Sequence, residues 1–305
     1  MGHWSKTAAV VGLGALAAGA YATLIERNAF VLRRYTVPVL PKGSADVRVL
    51  HISDIHMMPN QTRKQNWLRS LAMYEPDLVI NTGDNIADAN SVDPLLAAID
   101  PLLDRPGAFV FGSNDYFSPG MKNPFGYFGE LNKETTKREP DLPWERMRDE
   151  FVARGWVNLT NTKADLMIRG MKFSFAGVDD PHLNYDKLSK AAGPAKKRSA
   201  INIGVAHAPY LRVLDTWNTA GFQLILAGHT HGGQVGIPGY GALVTNCDID
   251  TKRAKGLHQH QVDGNPPSWL HVSAGSGTSP YAPIRFATRP EATLLTLTAL
   301  DSVVG

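Results

Sequence analysis

The sequence predicts an α/β protein with two packed β-sheets flanked by helices in one domain. Three observations lead there. Between Val47 and Phe111 an apolar run, a polar cluster and an apolar helical stripe recur about every thirty residues, the βαβ rhythm of a parallel-type sheet. After Val157 the chain turns β-rich, with short apolar runs separated by turn formers. Each polar cluster also follows its apolar run directly, and parallel sheets collect functional groups at the carboxyl ends of their strands.

The composition agrees with a globular enzyme: 305 residues, 43% hydrophobic and 19% charged. A net charge of +3 is too small to argue for nucleic acid, and no such partner is expected. Cys247 is the single cysteine, which excludes an internal disulfide and a Cys-based zinc site.

Residues 1–28 stand apart from the domain expected over 29–305. Thr7 to Ile25 is uncharged and, as a helix, would reach about 28 Å, the thickness of a bilayer core. We read it as a single-pass membrane anchor, and hence a cell-membrane location. A secretory leader ending near Ala20-Tyr21-Ala22 and a surface-packed helix are the alternatives. Lys6 alone precedes the run, whereas Arg27, Arg33, Arg34 and Lys42 follow it. By the positive-inside rule the domain then faces the cytoplasm, an exported form being the other option.

The elements follow in order. Phe30 to Val37 reads as a strand ended by Pro38, and Val47 to Ser53 as a second strand running into Asp54-Ile55-His56. Trp67, Leu68, Leu71 and Tyr74 form a helical stripe, after which Leu78 to Thr82 leads into Gly83-Asp84. The stripe from Val92 to Leu103 follows Ser91, the expected N-cap, and Ala108 to Phe111 runs into Gly112-Ser113-Asn114-Asp115. Residues 116–145 read as a long insertion loop carrying Phe117, Phe125, Tyr127 and Phe128, expected as a lid or membrane-facing lip. A helix is expected from Pro143 to Ala153. Strands then follow at Val157–Leu159, Ala164–Ile168 and Lys172–Ala176, with an Arg169-Gly170 hairpin turn between the last two. Asn202 to Ala206 ends at His207, and a short helix through Leu211, Leu214 and Trp217 precedes Phe222 to Ala227. Leu243–Thr245, Trp269–Ser273 and Thr293–Thr298 complete the strands.

Gly228-His229-Thr230-His231-Gly232-Gly233 sits at a strand end, and an extended chain there would turn both imidazoles to one side. Together the strand ends offer Asp54, His56, Asp84, Asn114, His207, His229 and His231. Seven nitrogen and oxygen donors without sulfur suit two divalent transition ions sharing a bridging carboxylate, Asp84. Mn, Fe and Zn fit these donors equally.

These motifs resemble those of the calcineurin-like metallophosphoesterase superfamily: Asp54-x-His56, Gly83-Asp84, Gly112-Ser113-Asn114-Asp115, His207 and Gly228-His229-Thr230-His231, in register from residue 47 to about 235. The tail Arg285 to Glu291 resembles the closing segment of the membrane-associated bacterial branch, phosphodiesterases and pyrophosphatases acting on lipid-linked substrates such as UDP-diacylglucosamine. The resemblance implies a four-layer αββα sandwich with two mixed sheets. It also implies Asp54, His56, Asp84 and His231 on one metal ion, and Asp84, Asn114, His207 and His229 on the other. The activity it implies is hydrolysis of a phosphodiester or pyrophosphate, on a membrane-associated or lipid-linked substrate, by in-line attack of a metal-held water. A phosphomonoesterase, protein phosphatases included, and a non-catalytic metal-binding envelope scaffold are the alternatives.

One motif departs from the family pattern, which reads Gly-Asn-His-Asp or Gly-Asn-His-Glu. Without gaps, Ser113 takes the Asn place and Asn114 the His place; a one-residue slip leaves Asn114 as ligand and Asp115 where the histidine should be. Either way the histidine that assists the leaving group is missing, a role worth about 10²–10⁴-fold. The candidate catalytic residues are therefore Asn114, Asp115 and His207. His182 is a substitute if it reaches the site, although after Asp180-Pro181 it reads first as a turn residue. Lys196-Lys197-Arg198 and Lys252-Arg253-Lys255 read as solvated loop charges or as attractors of anionic groups. His51, His258, His260 and His271 read as structural.

Overall fold

A computed structural model describes residues 3–120 and 138–301 of the chain. Helix α1 (His3–Ala20) passes through a π turn (Tyr21–Ile25) and a 3-10 turn (Glu26–Asn28) into β1 (Val31–Leu40). No helix among the described residues is long and apolar enough to cross a membrane, which corrects the expectation of a spanning anchor at 1–28. The reason is composition: Gly12, Gly14, Gly19 and six alanines give α1 little apolar surface per turn.

The first half then alternates: β2 (Val47–Ile52), α2 (Thr62–Ser70), β3 (Leu78–Asn81), α3 (Val92–Leu103), β4 (Gly107–Phe109), the one-turn α4 (Ser113–Tyr116), α5 (Trp144–Ala153) and β5 (Val157–Asn158). The second half supplies β6 (Thr162–Ile168), β7 (Met171–Gly177), α6 (Leu188–Ala191), β8 (Ile201–Val205), α7 (Leu211–Thr219) and β9 (Leu224–Ala227). A small hairpin of β10 (Gly236–Ile237) and β11 (Gly241–Ala242) precedes β12 (Gly256–His260), β13 (Ser268–Val272) and β14 (Glu291–Ala299).

Two six-stranded mixed sheets result, ordered β1-β14-β2-β3-β4-β5 and β12-β13-β9-β8-β7-β6. The last strand, β14, lies between β1 and β2, parallel to the first and antiparallel to the second. The period-two alternation of the strands builds the layers. Val49, Leu78 and Ile80 of the first sheet meet Phe173, Ile203, Leu224 and Leu226 of the second in the central core. Leu50, Ile52 and Val79 point the other way, under Leu68 of α2, Leu95 and Ile99 of α3, and Met147 and Phe151 of α5. Ile225, Leu270 and Val272 pack on Val213, Leu214 and Trp217 of α7. The architecture is the four-layer αββα sandwich.

Several local expectations change. Pro38 does not end β1, because β1 is an edge strand and needs no donor on its open side; its register slips between Pro38 and Leu40. Leu243–Thr245 forms no strand; the pairing in that region stops at Ala242. Ser91 stands at the N-cap of α3, but its buried hydroxyl makes no cap bond among the described residues. Arg169 and Gly170 do turn the β6–β7 hairpin, both at positive φ. Of the insertion expected at 116–145, residues 121–137 lie outside the described residues, and the lid or lip reading falls with Phe125, Tyr127 and Phe128 among them. At its base, Ser118 donates to Asp141 through its backbone (2.7 Å) and its hydroxyl (2.6 Å).

Candidate metal centre

The parallel strands β2, β3 and β4 of one sheet and β8 and β9 of the other all end at the same edge of the sandwich. Asp54 and His56 follow β2, Asp84 follows β3, Asn114 opens α4 after β4, His207 follows β8, and His229 and His231 follow β9. All seven come together. Asp54, Asp84, His56, His207 and His229 are buried, and Asn114 and His231 are half-buried. The expectation of an extended chain at His229 and His231 does not hold. Both sit at positive φ (70° and 49°), as do Asp54 (47°), His56 (42°) and Asp84 (55°). That conformation is uncommon for residues with a Cβ and gathers at functional sites, where the surrounding structure enforces it.

Close approach demands glycine at two places. A Cβ at Gly112 would stand 2.6 Å from the His207 ring, and one at Gly228 2.5 Å from Asp54 Oδ2.

Two donor groups emerge, Asp54 with His56 and His231, and Asp54 with Asp84 and His207; the ligand atoms of each group lie within 4.8 Å of one another. Asp84 reaches both sides, with Oδ2 3.4 Å from His56 Nε2 and Oδ1 3.5 Å from His207 Nε2. His56 Nε2 faces His231 Nε2 at 3.2 Å, and His229 Nδ1 faces His207 Nε2 at 3.2 Å. Asn114 belongs to the same cluster: its backbone N–H donates to Asp84 Oδ1 (2.7 Å) and its side-chain amide to Oδ2 (2.8 Å).

The protonation pattern fits a cation. His207 Nδ1 lies 2.7 Å from the Thr82 carbonyl, which can only accept, so Nδ1 carries a proton; burial works against charge on the ring, but the Asp84 carboxylate beside Nε2 holds the imidazole well above its ordinary value. His229 Nε2 lies 3.3 Å from both the carbonyl and the side-chain amide of Asn246. Donation to that carbonyl leaves His229 Nδ1 as an acceptor 3.2 Å from His207 Nε2, so the two rings share one positive charge, which a proton or a metal ion supplies. The carboxylates say the same. Burial pushes Asp54 up to about 6, with Asp84 adding to the rise against His207. Burial also works against charge on Asp84, but His207, then His56 and the Asn114 amide, hold it well below the usual range. The donor set therefore fits divalent metal.

Behind Asp54 runs a buried chain of hydrogen bonds with one consistent direction. Ser53 donates to Asp54, Thr82 donates to Ser53 (2.6 Å), and His51 Nε2 lies 2.9 Å from the Thr82 hydroxyl. Since the Thr82 proton is already used, His51 must donate from Nε2 and accept at Nδ1, 2.8 Å from His271 Nδ1. The His229 backbone N–H donates to Asp54 from the other side.

Asp115 takes a different part from the one expected of it. Its Oδ2 accepts from the N–H groups of Asp84 (2.8 Å) and Gly112 (2.9 Å), and its Oδ1 from that of Asn85 (2.7 Å). Fully buried and occupied on both oxygens, it ties the Asp84 loop to α4 and has no face towards a substrate. His182, by contrast, does reach the site. Its ring lies 4.5 Å from that of His229 between centroids, and its Nδ1 is 3.0 Å from the Tyr210 hydroxyl. The turn after Asp180 carries it there, the Asp180 carboxylate accepting from the His182 N–H (2.8 Å).

Arg285 and Asn246 reach the site although neither stands among the expected ligands or catalytic residues. Arg285 is fully buried, donates to the carbonyls of Ala274 (2.7 Å) and Gly277 (2.6 Å), and stands 3.1 Å from His231 Nδ1. Its one signal was its place in the tail segment Arg285 to Glu291. Four of the other basic and histidine residues singled out in the sequence are engaged elsewhere: Lys196 with Asp165, Arg253 with Asp250, His260 with Asp215, and His258 with the Lys255 carbonyl.

Residues 47–233 match the family described as calcineurin-like phosphoesterase. Among similar proteins, YpbG of Bacillus subtilis is 26% identical over 94% of this chain and 94% of its own. The metallophosphoesterase YkuE of the same organism is 26% identical over 93% of this chain and 94% of its own. A bovine transmembrane protein with a metallophosphoesterase domain is 26% identical over 86% of this chain but 56% of its own. Motifs, donor geometry and this match over most of the sandwich lead to one conclusion: the chain belongs to the calcineurin-like phosphoesterase family, metal-dependent hydrolases of phosphoester bonds.

Proposed function

We propose that this protein holds two divalent ions and hydrolyses a phosphodiester or pyrophosphate bond, on a substrate with a lipid-like part. Asp54, His56, Asp84 and His231 hold one ion, and Asp84, Asn114, His207 and His229 the other. The observation that carries this reading is the pair of facing imidazole nitrogens at each end of Asp84, 3.2 Å apart in both cases. Bound there, the ions would supply Lewis acidity and lower the pKa of attacking water towards neutrality.

The chain's own groups do the rest. The Thr82 carbonyl keeps the His207 proton away from the centre, and Asn246 can do the same for His229. Ser53 and the His229 N–H orient Asp54, and Asp115 fixes the loop that presents Asp84. His182 stands beside His229, and we assign it the hydrogen bond to the leaving oxygen, in the role of the histidine absent at Ser113-Asn114. The lipid-like part is supported by apolar side chains left exposed on the N-terminal helical segment, Leu13, Leu16, Leu24 and Ile25 among them. That segment is fixed near the centre, since Ala22 accepts from the Arg285 backbone N–H (3.1 Å) and Glu26 accepts from Ala287 and Thr288.

The test is turnover by the full chain loaded with Mn²⁺, Fe²⁺ or Zn²⁺. Bis(p-nitrophenyl) phosphate should be cleaved faster than p-nitrophenyl phosphate under the same metal. No cleavage of either would refute the reading, and faster monoester cleavage would make the protein a phosphomonoesterase. His182→Asn should slow the diester about 10²-fold with a poor leaving group and far less with p-nitrophenolate. Equal slowing of both would remove His182 from that role.

A further inference from the structure

Next to the metal centre, but lined by none of its ligands, lies a cavity of about 360 Å³ between the end of the N-terminal segment, the start of α2 and the loop 276–278. Arg27, Arg63 and Lys64 line it, with Ser276, Gly277 and Thr278 opposite; among the described residues no carboxylate does. Lys64 is buried, donates to the carbonyls of Ile55 (2.7 Å) and His56 (3.3 Å), and feels the charges of Arg285 and Arg27. Lys64 and Arg285 are buried, Arg27 is half-buried and Arg63 exposed, and like charges gathered this way beside a wall without a carboxylate among the described residues favour an anion.

Two orphaned polar atoms point the same way. Ser276 is 2% exposed and its hydroxyl has no partner among the described residues, and the buried Arg27 Nε has none either. Buried polar atoms are nearly always paired, so unpaired donors on a cation-lined wall are prepared for a ligand rich in acceptor oxygens. The start of α2 adds to the field: Gln61 makes no side-chain cap bond and the first turn carries no acid.

We propose that this cavity is a second anion site, taking a phosphate group between Arg27 and Arg63. A guanidinium presents parallel N–H donors that match the oxygens of phosphate, and two of them balance its charge. The phosphate has two possible sources. Leu24 and Ile25, 67% and 58% exposed, precede Arg27 by one turn and would suit a phospholipid head group. A phosphate on a soluble molecule offers the same oxygens. Occupancy of the pocket does not depend on which ester the metal centre cleaves.

The experiment titrates the metal-loaded full chain with inorganic phosphate by calorimetry, beside flotation with phosphatidylcholine vesicles with and without phosphatidic acid. Arg63 is exposed, so Arg63→Gln leaves the fold intact. That variant should weaken one phosphate-binding event about tenfold, and Arg27→Gln/Arg63→Gln should abolish it. Metal content and diester turnover should stay at wild-type levels. Flotation with phosphatidic acid that is lost in the double variant assigns the site to a head group. A phosphate event without flotation assigns it to a soluble phosphate. An isotherm unchanged in the double variant overturns the proposal, as does the lack of both a second phosphate event and flotation. Loss of binding in the variants would uphold the pocket even if no diester were cleaved.

Discussion

At one end of the metal centre, His207 leans on the Thr82 carbonyl and His229 on the carbonyl and amide of Asn246. At the other, His56 Nδ1 is buried with no partner among the described residues, and His231 Nδ1 faces the Arg285 guanidinium. Orientation at that second end comes largely from side chains, from Ser53, Thr82 and His51 lined up behind Asp54, with the His229 backbone N–H as the one main-chain donor to that carboxylate among the described residues. One end is therefore braced largely by backbone, which substitution barely touches, and the other by side chains, which substitution can remove. On the two-ion proposal the braced end should bind its ion more tightly, because a ligand held in its metal-binding tautomer needs no reorganisation on loading.

The largest expected effect removes the shared member. Asp84→Asn should lower turnover by at least about 10²-fold and reduce metal content at both ends, checked by steady-state kinetics and elemental analysis. Loss at one end alone would break the description of Asp84 as common to both. Ser53→Ala should weaken the looser ion about 10- to 100-fold and leave the tighter one nearly unchanged, as read from Mn²⁺ titration. Asn246→Ala keeps the carbonyl and loses only the amide, so the tighter ion should weaken by less than about tenfold. If Asn246→Ala costs as much as Ser53→Ala, the distinction between backbone and side-chain bracing fails.

The smallest effect comes from the far end of the side-chain brace. Burial lowers His51 from its ordinary value to about 3, and its neighbour His271 is lowered too, by burial and then by His51. The folded state therefore binds fewer protons than the unfolded one between these limits. The stability these two histidines contribute is complete above about pH 6.5 and declines as pH falls towards 3. Melting of metal-free protein should show this decline, and His51→Gln should flatten it. A variant profile parallel to the wild type would place the acid sensitivity elsewhere.

What was legible in the sequence follows the same division. Side chains that act through their own chemistry announced themselves: Asp54, His56, Asp84, His207, His229 and His231 stand at strand ends in register, and the folded chain brings them together. The βαβ rhythm and the β-rich tail likewise foretold the two sheets. What escaped acts through the backbone or through distant loops. No residue type encodes the use of the Thr82 carbonyl, and Asn246 approaches His229 from a loop with no pattern of its own. His182 read as a turn residue and is one, yet the turn delivers its ring to His229. The spacing of Asp115 suggested chemistry, and the fold shows something spacing cannot encode: its carboxylate accepts from three backbone donors.

The place of β14 between β1 and β2 has a consequence for how the chain reaches this state. The N-terminal strand finds its partner some 260 residues later, with Val31 beside Glu291, so one of the longest loops in the molecule closes last during synthesis. Until then one edge of β2 stays open, and Glu291, which accepts from the Ala274 N–H and pairs with Arg33, is not yet there to hold the loop beside Asp54. A nascent chain can carry all seven candidate metal-binding side chains and still lack a rigid centre, so competence to bind metal should arrive only with β14.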